Sequence, residues 1–538
     1  MERKYIVVTG GVISGLGKGI ALASIGNLLS PKYKVIPIKC DGYLNVDPGT
    51  MNPIEHGEVF VLDDGSEVDM DFGHYERFLG VPCNKDSSLT MGRVFSEIRE
   101  RERRGDYLGK TVQMIPHVSN FIRNYFIQVG ENNNADIVLI EIGGTIGDME
   151  NELFIEAVRS LARKVGRQNV LFIHVTYVPI PFSIGEPKSK PTQQSVALLR
   201  QRGVEPDLII TRSRKALTDH VRQKISSMCN LEFEEVISGV DVDNIYKVPL
   251  VFERQGMSQL LARKLGLQVI PDLKKWEELI EKREKSAKEI TIAVAGKYTY
   301  IGDSYASIIE ALHHCEAHYG VRINIKWMET TDDNLSLEGV SGVIVPGGFG
   351  ARGVEGKIEV IKKCREQNIP FLGICFGLQT AVIEFARNVC NLKAHSTEID
   401  PNTEHPVIDM LEEQKNITTK GGTMRLGSHV ALIKEGTIVH SLYGSTRVEE
   451  RHRHRYEVNP KYHQILHDNG IILSGVSPGG TLVEFIELSN HPFFVGTQAH
   501  PELKSSLLKP APLFKGLVGA ALKFDEINQQ SFKETISN

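Results

Sequence analysis

A cysteine, a histidine and a glutamate in the C-terminal half have the types and spacing of a thiol nucleophile with its base. Cys375 lies between Gly373 and Gly377 in NIPFLGICFGLQ, after an apolar run and before a helical pattern. This context is typical of a nucleophile elbow, a tight strained turn that presents its side chain at a helix start. His500 and Glu502 lie two residues apart in TQAHPELKS, so both can point to one side of an extended segment. The sequence therefore predicts that His500 activates Cys375 and that Glu502 orients His500.

An oxyanion hole is the expected companion of such a nucleophile. Gly347 and Gly348 in VPGGFGARG follow an apolar run, and their backbone N–H groups are candidates for that role. Cys40, Cys229 and Cys364 lie in apolar or helical contexts and are predicted to be structural. Each motif is common alone, but together they favour a covalent thiol site.

A glycine-rich loop near the N-terminus predicts a phosphate site. In VTGGVISGLGKGIAL, five residues separate Gly11 from Gly17-Lys18, and Gly19 stands where a Walker A motif has Ser or Thr. The loop follows a β-rich run and precedes an amphipathic run. Backbone N–H groups and a helix N-terminus could therefore hold phosphates. The alternative is an ordinary tight turn between a strand and a helix.

Two acidic residues are candidates for a magnesium ion at such a phosphate site. Mg²⁺ binds one or two carboxylates together with water and phosphate oxygens. Glu141 ends the apolar run DIVLIEIGG, at the sheet edge where open α/β folds bind ligands. An acid that closes a buried strand needs a partner. Asp71 lies in the acidic stretch EVDMDFGHYERF, whose spacing alone favours a solvated loop.

Two basic stretches remain. GEPKSKPTQQS places Lys188, Lys190 and Thr192 before a helical run that starts near Gln193, which suits either a second polyphosphate or an exposed basic loop. EERHRHRYEVN lacks the length and the interleaved aromatics of a nucleic-acid site. A solvated face, or one arginine that binds a substrate carboxylate, is the better interpretation.

The elements that must position these residues alternate between β-rich apolar runs and helical patterns. The alternation extends from residue 5 to about 240 and predicts a parallel sheet covered on both faces. A charged segment from Asp272 predicts a surface helix, and the α/β rhythm restarts at Ile290. Past residue 420 the pattern indicates hairpins. We expect a first domain over 1–268, a linker helix over 269–289 and a second domain over 290–538.

Composition excludes several classes of protein. The chain has 62 Lys plus Arg against 67 Asp plus Glu, which disfavours a nucleic-acid binder. Seven cysteines without a CxxC pair disfavour a disulfide framework or a zinc site. The first apolar run is too short for a signal peptide, and no stretch approaches ~18 apolar residues. We expect a cytoplasmic protein with no membrane partner.

The motifs closely resemble the CTP synthase family over essentially the whole chain. Those that match are VTGGVISGLGKGI, NVDPGTMNPIEHGEVFVLDDG, GHYERF, GGTIGDME, GEPKSKPTQQS, DVDNIYKVP, VPGGFGARGVEGK, GICFGLQ, RHRHRYEVN and HPELKS. The second half alone resembles a class I glutamine amidotransferase. The resemblance implies a P-loop-like doubly wound parallel sheet followed by an α/β amidotransferase domain. It also implies ATP-dependent phosphorylation of the UTP 4-oxygen and displacement of phosphate by ammonia from glutamine.

The resemblance also implies roles for residues of this chain. ATP would bind Gly15, Leu16, Gly17, Lys18, Gly19, Ile20, Asp71, Val240, Asp241 and Val242. UTP or CTP would bind Ser14, Asp148, Met149, Glu150, Lys188, Ser189, Lys190, Pro191, Thr192, Gln193 and Lys224. Glutamine would bind Gly348, Phe376, Gly377, Leu378, Gln379, Glu398 and Arg455. Magnesium would bind Asp71 and Glu141, and Lys39 would lie near the transferred phosphate.

The family pattern further implies a homotetramer that GTP activates and CTP inhibits as a feedback product. The chain departs from that pattern at Gly15, Gly42, Phe376 and Ala499, and none of these changes removes a charged or nucleophilic group. Two other functions remain open from the residues alone. One is an amidoligase with another acceptor, which would not need the basic GEPKSKPTQQS site. The other is a partitioning-type ATPase or filament scaffold, which would not need Cys375, His500 and Glu502 together.

Overall fold

The structure is a computed structural model that describes residues 2–51, 57–183, 185–297, 302–332, 334–410 and 424–537. The chain forms two compact units. The first unit comprises Met1–Pro48 and Asp71–Glu277, and the second comprises Gly49–Met70 and Glu278–Asn538. The division at residue 277 falls inside a helix within the segment that the sequence marked as a linker.

The strands are β1 (Lys4–Gly10), β2 (Val35–Asp41), β3 (Phe60–Val61), β4 (Glu67–Val68), β5 (Ser88–Thr90), β6 (Ile137–Ile142), β7 (Val170–Tyr177), β8 (Leu208–Ser213), β9 (Val236–Val240), β10 (Glu289–Gly296), β11 (Arg322–Glu329), β12 (Gly342–Val345), β13 (Phe371–Ile374), β14 (Ala394–Ser396), β15 (His405–Met410), β16 (Arg425–Ile433), β17 (Arg447–His454), β18 (Tyr456–Val458), β19 (Ile471–Val476), β20 (Val483–Leu488) and β21 (Phe494–Thr497).

The α-helices of the described residues are α1 (Lys18–Leu29), α2 (Asp71–Leu79), α3 (Met91–Arg104), α4 (Ser119–Asn132), α5 (Glu152–Val165), α6 (Lys190–Gln201), α7 (Asp219–Met228), α8 (Val248–Glu253), α9 (Met257–Leu265), α10 (Lys274–Glu284), α11 (Ala306–Tyr319), α12 (Val354–Gln367), α13 (Phe376–Asn388), α14 (Ile438–Tyr443), α15 (His463–Asp468) and α16 (Pro512–Ser537). No helix among the described residues is long and apolar enough to cross a membrane.

The first unit contains a seven-stranded parallel sheet in the order β5-β2-β6-β1-β7-β8-β9. Its inner strands are apolar along almost their whole length, as expected for strands that are covered on both faces. The predicted α/β fold is confirmed. The apolar runs YIVVT, KVIPIKC, DIVLIEIGG, NVLFIHVTY and PDLIITR predict the other strands of this sheet but not β5 and β9, because these two are short and polar residues interrupt their apolar pattern.

The second unit contains a nine-stranded mixed sheet in the order β11-β10-β12-β13-β21-β20-β19-β16-β17. Strands β11, β10, β12, β13 and β21 run parallel, and the remaining strands pair antiparallel. The hairpins expected past residue 420 are therefore the antiparallel edge of a parallel sheet. Strands β14, β15 and β18 form a separate small sheet.

The segment Gly49–Met70 belongs to the second unit, although the sequence boundaries assigned it to the first domain. Its hairpin β3–β4 carries Asp63, which accepts a hydrogen bond from Arg451 Nε at 2.7 Å. Glu67 accepts one from Arg453 Nε at 2.8 Å. Two charges from RHRHRYEVN are therefore bound to a segment nearly four hundred residues earlier in the chain.

Candidate active sites

The glycine-rich loop lies between β1 and α1 in the first unit. Gly15 and Gly17 have φ values of +71° and +77°, which are conformations that favour glycine. Gly17 caps helix α1, and Lys18 is its first residue. The Lys18 side chain is buried and donates a hydrogen bond from Nζ to the Gly144 carbonyl oxygen at 2.7 Å. The loop is thus an N–H-rich turn at a helix N-terminus, with a lysine held against it.

Asp71 and Glu141 converge at the start of α1. A Cβ atom placed on Gly19 would lie 2.7 Å from Asp71 Oδ1 and 3.3 Å from Glu141 Oε2. Glu141 on β6 is the register partner of Lys39 on β2, so both side chains point to the same face of the sheet. Asp71 begins helix α2 and is ion-paired with Lys39, so it is not part of a solvated loop.

Electrostatics distinguish the two carboxyl groups. Burial and then the nearby charge of Asp71 raise the pKa of Glu141, Lys39 and Lys18 partly offset both effects, and the resulting pKa is about 7. The Tyr75 hydroxyl donates a hydrogen bond to Glu141. Burial also raises the pKa of Asp71, but the charges of Lys39, His74 and Lys18 outweigh burial and leave that pKa below its ordinary value. A cation beside both carboxylates would favour the charged form of each.

This donor set fits magnesium. Among the described residues no group of three or more His, Cys, Asp or Glu side chains could hold a metal ion. Mg²⁺ does not need such a cage, because water and nucleotide phosphates complete its shell around one or two carboxylates. Asp71 and Glu141 meet this requirement beside the glycine-rich loop.

Some of the other predicted ATP residues line one small pocket, and the rest lie outside it. Gly17 and Ile20 line it together with Val240 and Phe252, so its lining is largely apolar. Arg212 also lines it and donates a hydrogen bond to Asp241 at 2.8 Å. Leu16 is buried in the loop, and Val242 follows β9 outside this lining.

The predicted pyrimidine-nucleotide residues occupy several separate elements. Ser189 precedes α6, and Lys190, Pro191, Thr192 and Gln193 form its first turn. Lys188 pairs with Glu186 at 3.2 Å just before that helix. Asp148 accepts hydrogen bonds from Thr145 in the loop after β6, while the neighbouring Met149 and Glu150 are exposed.

Some of these elements are connected through buried side chains. The His174 ring on β7 hydrogen-bonds to Thr9 at 2.8 Å and to Ser195 at 2.7 Å, which connects the end of β1 to helix α6. Ser14 is exposed in the glycine-rich loop. Lys224 is exposed on α7, and within the described residues no hydrogen bond or ion pair joins it to the rest of this set.

In the second unit, Cys375 lies on a strained turn between β13 and α13. Its φ and ψ are +52° and −102°, an unusual conformation for a residue with a side chain. A Cβ on Gly377 would lie 2.0 Å from the Val345 carbonyl oxygen, and a Cβ on Gly373 would lie 2.8 Å from the Gly377 carbonyl carbon. The elbow therefore requires both glycines, as the sequence pattern suggested.

His500 and Glu502 lie beside this elbow. The His500 Nδ1 donates a hydrogen bond to Glu502 Oε1 at 2.7 Å. A Cβ on Gly347 would lie 3.0 Å from His500 Cε1 and 3.6 Å from Cys375 Cβ, so the three predicted segments meet at one point. Burial alone would lower the pKa of His500, but the charges of Glu502 and Cys375 outweigh it and hold that pKa well above its ordinary value.

Two lysines that the sequence did not single out hydrogen-bond to the loop of the predicted oxyanion hole, which follows β12. Lys357 is buried and donates a hydrogen bond to the Pro346 carbonyl at 3.2 Å. Lys297 donates one to the Phe349 carbonyl. Burial, together with the charge of Lys297, lowers the pKa of Lys357 to about 7. Little in the sequence indicates a role for either lysine, because each is a single lysine that follows a glycine and belongs to no recognisable motif.

The predicted glutamine residues surround the same elbow. Phe376, Gly377, Leu378 and Gln379 form the buried first turn of α13, and Gly348 lies near Lys357. Glu398 accepts a hydrogen bond from the Gly350 N–H at 2.8 Å, and burial raises its pKa. Burial raises the pKa of Tyr456, the charge of Glu398 raises it further and that of Arg455 lowers it, so both charges are close enough to act on this residue.

Sequence reasoning missed Gln498. Its side chain is fully buried, and its Nε2 donates a hydrogen bond to Cys375 Sγ at 3.6 Å. The only signal was its place two residues before His500 in TQAHPE. An amide has no catalytic role that can be recognised from residue type alone.

Two family models match the chain. The model of the CTP synthase N-terminus matches residues 4–267, and that of the class I glutamine amidotransferases matches residues 300–520. The first therefore covers the glycine-rich loop, and the second covers the cysteine elbow.

Curated relatives match over nearly the full length. The CTP synthase of Archaeoglobus fulgidus is 51% identical, over 97% of this chain and 99% of the relative. That of Borreliella burgdorferi is 51% identical, over 96% of this chain and 99% of the relative. A solved structure, the glutaminase domain of Trypanosoma brucei CTPS with bound acivicin, is 35% identical with a TM-score of 0.41, and the match covers 44% of this chain and 94% of that one.

Proposed function

The chain belongs to the CTP synthase family, and from this premise we propose that it converts UTP to CTP with ATP and with ammonia from glutamine. The first unit activates the pyrimidine and the second unit supplies the nitrogen. Each unit carries one of the two sites described above, and every step can be assigned to residues of this chain.

Glutamine hydrolysis begins at Cys375. His500 takes the thiol proton, and the sulfur attacks the side-chain amide carbon of glutamine. The negative charge that develops on the amide oxygen faces N–H groups of the segment Gly347–Gly348. His500 then gives a proton to the leaving nitrogen, so the C–N bond breaks, ammonia departs and a thioester remains. Water hydrolyses the thioester to glutamate, again with His500 as the base, which Glu502 keeps oriented.

Substrate binding in the second unit uses the charged groups around Tyr456. We assign Arg455 to the α-carboxylate of glutamine and Glu398 to its α-amine. The first turn of α13, Phe376 to Gln379, provides the wall of the pocket.

The first unit phosphorylates the 4-oxygen of the UTP ring, which turns that oxygen into a leaving group that ammonia displaces. Backbone N–H groups of Gly15 to Ile20 and the Lys18 ammonium bind the ATP phosphates. Ile20 and Val240, which line the small apolar pocket beside this loop, are also assigned to ATP. Lys39 lies beside Asp71, where its charge can stabilise the transferred phosphoryl group.

Asp71 and Glu141 are the residues that would hold magnesium. When bound, the ion neutralises phosphate charge and orients the transferred group. The role of the two carboxylates is supported by their convergence over Gly19 and by the raised pKa of Glu141.

The remaining assignments rest on the family. We assign Ser14, Asp148 to Glu150, Lys188 to Gln193 and Lys224 to the pyrimidine nucleotide. We further propose a homotetramer, activation by GTP and feedback inhibition by CTP. A cytoplasmic location is consistent with seven free cysteines.

The observation that best supports this function is that Cys375, His500 and Gly347 lie together at the elbow. The same chain also contains the glycine-rich loop with Lys18. The test is to incubate the protein with UTP, ATP and Mg²⁺ and to measure CTP by chromatography, with either glutamine or ammonium chloride as nitrogen donor. We expect CTP from both donors and none without ATP. CTP from neither donor would reject the function.

A further inference from the structure

We propose that Gln498 is a catalytic residue of glutamine hydrolysis, and that its amide N–H stabilises the negative charge on the Cys375 sulfur. The inference rests on the proposed glutaminase function and adds a residue to it. The Gln498 side chain is fully buried beside the elbow, and its Nε2 lies 3.6 Å from Cys375 Sγ.

The direction in which this amide points is determined by a chain of hydrogen bonds. The Tyr456 backbone carbonyl can only accept, and it accepts from Gln379 Nε2 at 2.8 Å. This bond fixes the Gln379 amide, whose second N–H donates to Gln498 Oε1 at 3.2 Å. Since Gln498 Oε1 is the acceptor there, its Nε2 must face the sulfur. One backbone carbonyl therefore sets the polarity of two side-chain amides.

The sulfur has a different partner for each of its charge states. The neutral thiol can donate to the Arg453 carbonyl oxygen at 3.8 Å. The thiolate that forms when His500 takes the proton cannot donate, and it repels a carbonyl oxygen. Besides protonated His500, which interacts with the Cys375 sulfur, the Gln498 N–H is a donor that the thiolate can use. Hydrogen bonds to charged groups are about twice as strong as those between neutral groups. The amide therefore favours the reactive form of the nucleophile.

The same series of hydrogen bonds also connects to the proposed substrate site. Tyr456, whose carbonyl begins the relay, is flanked by Glu398 and Arg455, the groups assigned to the glutamine α-amine and α-carboxylate. Substrate that orders the backbone at Tyr456 also orders the amide that faces the sulfur. Gln379 is thus a positioning residue for Gln498, in addition to its place in the pocket wall.

Two substitutions at Gln498 test the donor. Gln498→Glu keeps the shape and replaces the N–H donor with an oxygen, and Gln498→Met removes polarity at similar volume. We expect kcat for glutamine hydrolysis to fall about 10- to 100-fold in both, with KM for glutamine changed much less. CTP synthesis from ammonia should stay at the wild-type rate. Gln464→Met, at an exposed glutamine of the same unit, is the matched control and should leave both activities unchanged.

Alkylation gives a readout that needs no substrate. Iodoacetamide reacts with thiolate, and mass spectrometry can follow the peptide that contains Cys375. The alkylation rate should fall by a similar factor in both Gln498 variants and in Gln379→Glu, which cannot donate to Tyr456 or to Gln498. In the double variant Gln379→Glu with Gln498→Met, the alkylation rate should be no lower than in Gln498→Met alone. The hydrogen bond through which Gln379 orients Gln498 is already absent there.

The outcomes separate this inference from the proposed function. Wild-type kcat and wild-type alkylation in Gln498→Met would overturn the role of Gln498. An alkylation rate in the double variant that is lower than in Gln498→Met alone would overturn the role of Gln379 in orienting Gln498. Failure of the wild-type protein itself to release ammonia from glutamine would instead reject the glutaminase function.

Discussion

The two sites handle buried charge in opposite ways. In the first unit, two like charges converge, since Asp71 and Glu141 both face Gly19 and the pKa of Glu141 is raised to about 7. In the second unit, opposite charges converge, since Glu502 and Cys375 hold the pKa of His500 well above its ordinary value. The difference indicates that the chain itself completes the nucleophile site, whereas the nucleotide site gains from a bound cation.

Backbone strain, in contrast, is common to both sites. Cys375 has a conformation that side chains rarely adopt, and Gly377 packs against the Val345 carbonyl. In the glycine-rich loop, Gly15 and Gly17 adopt positive φ values without strain, but Val12 has a φ of +83°, which is strained for a β-branched residue. Each loop therefore holds one residue in a conformation that side chains rarely adopt.

The largest expected effect comes from removing the nucleophile. Cys375→Ala should lower glutamine-dependent CTP synthesis by roughly 10⁴-fold or more, because no thioester can form. Synthesis from ammonia should continue, since the first site does not use the thiol. Cys390→Ala, at a half-buried cysteine of the same unit, should preserve both activities. Loss of both activities in a folded Cys375→Ala protein would break the comparison, because the sites would not be separable.

A smaller effect is expected at the phosphate site. Lys18→Ala should lower CTP synthesis from either nitrogen donor by roughly 10²- to 10³-fold, because a charge on the ATP phosphates is lost. Alkylation of Cys375 by iodoacetamide should keep its wild-type rate, because the second site is complete without the first. Lys110→Ala, at an exposed lysine, is the control. Retained ammonia-dependent synthesis in Lys18→Ala would contradict the assigned role.

The smallest effect concerns stability. The folded pKa of Glu141, about 7, lies above the ordinary 4.5, so its stabilising contribution is present below pH 4.5 and is lost as pH rises to 7. Without magnesium or nucleotide, Glu141→Gln should therefore raise the melting temperature by roughly 2–4 °C above pH 7. By pH 4.5 this gain should have disappeared.

Calorimetry across that pH range measures the effect, with the exposed Glu131→Gln as control. The same Glu141→Gln variant should lose CTP synthesis. Equal melting temperatures for Glu141→Gln and wild type at pH 8 would show that the two carboxylates of the first site do not oppose each other.

Sequence patterns predicted the α/β fold, most strands of the first sheet and four parallel strands of the second, because continuous apolar runs and helical periodicity are local properties. They also predicted the elbow, since glycines on either side of Cys375 are visible in the chain. They did not predict β5 or β9, whose apolar runs are short. Asp71 looked like a loop residue by spacing alone, because its partner Lys39 is far away in the sequence.

The sequence by itself determined which chemical groups are present and which local turns can hold them: the thiol on its elbow, the histidine with its carboxylate, and the lysine after a glycine-rich loop. Only the tertiary structure decided which of these groups meet. Gln498 faces the sulfur because a distant carbonyl at Tyr456 orients it through Gln379. The physical reason is that hydrogen-bond polarity and charge act through space over a few ångströms, and residues this close can be far apart in the sequence.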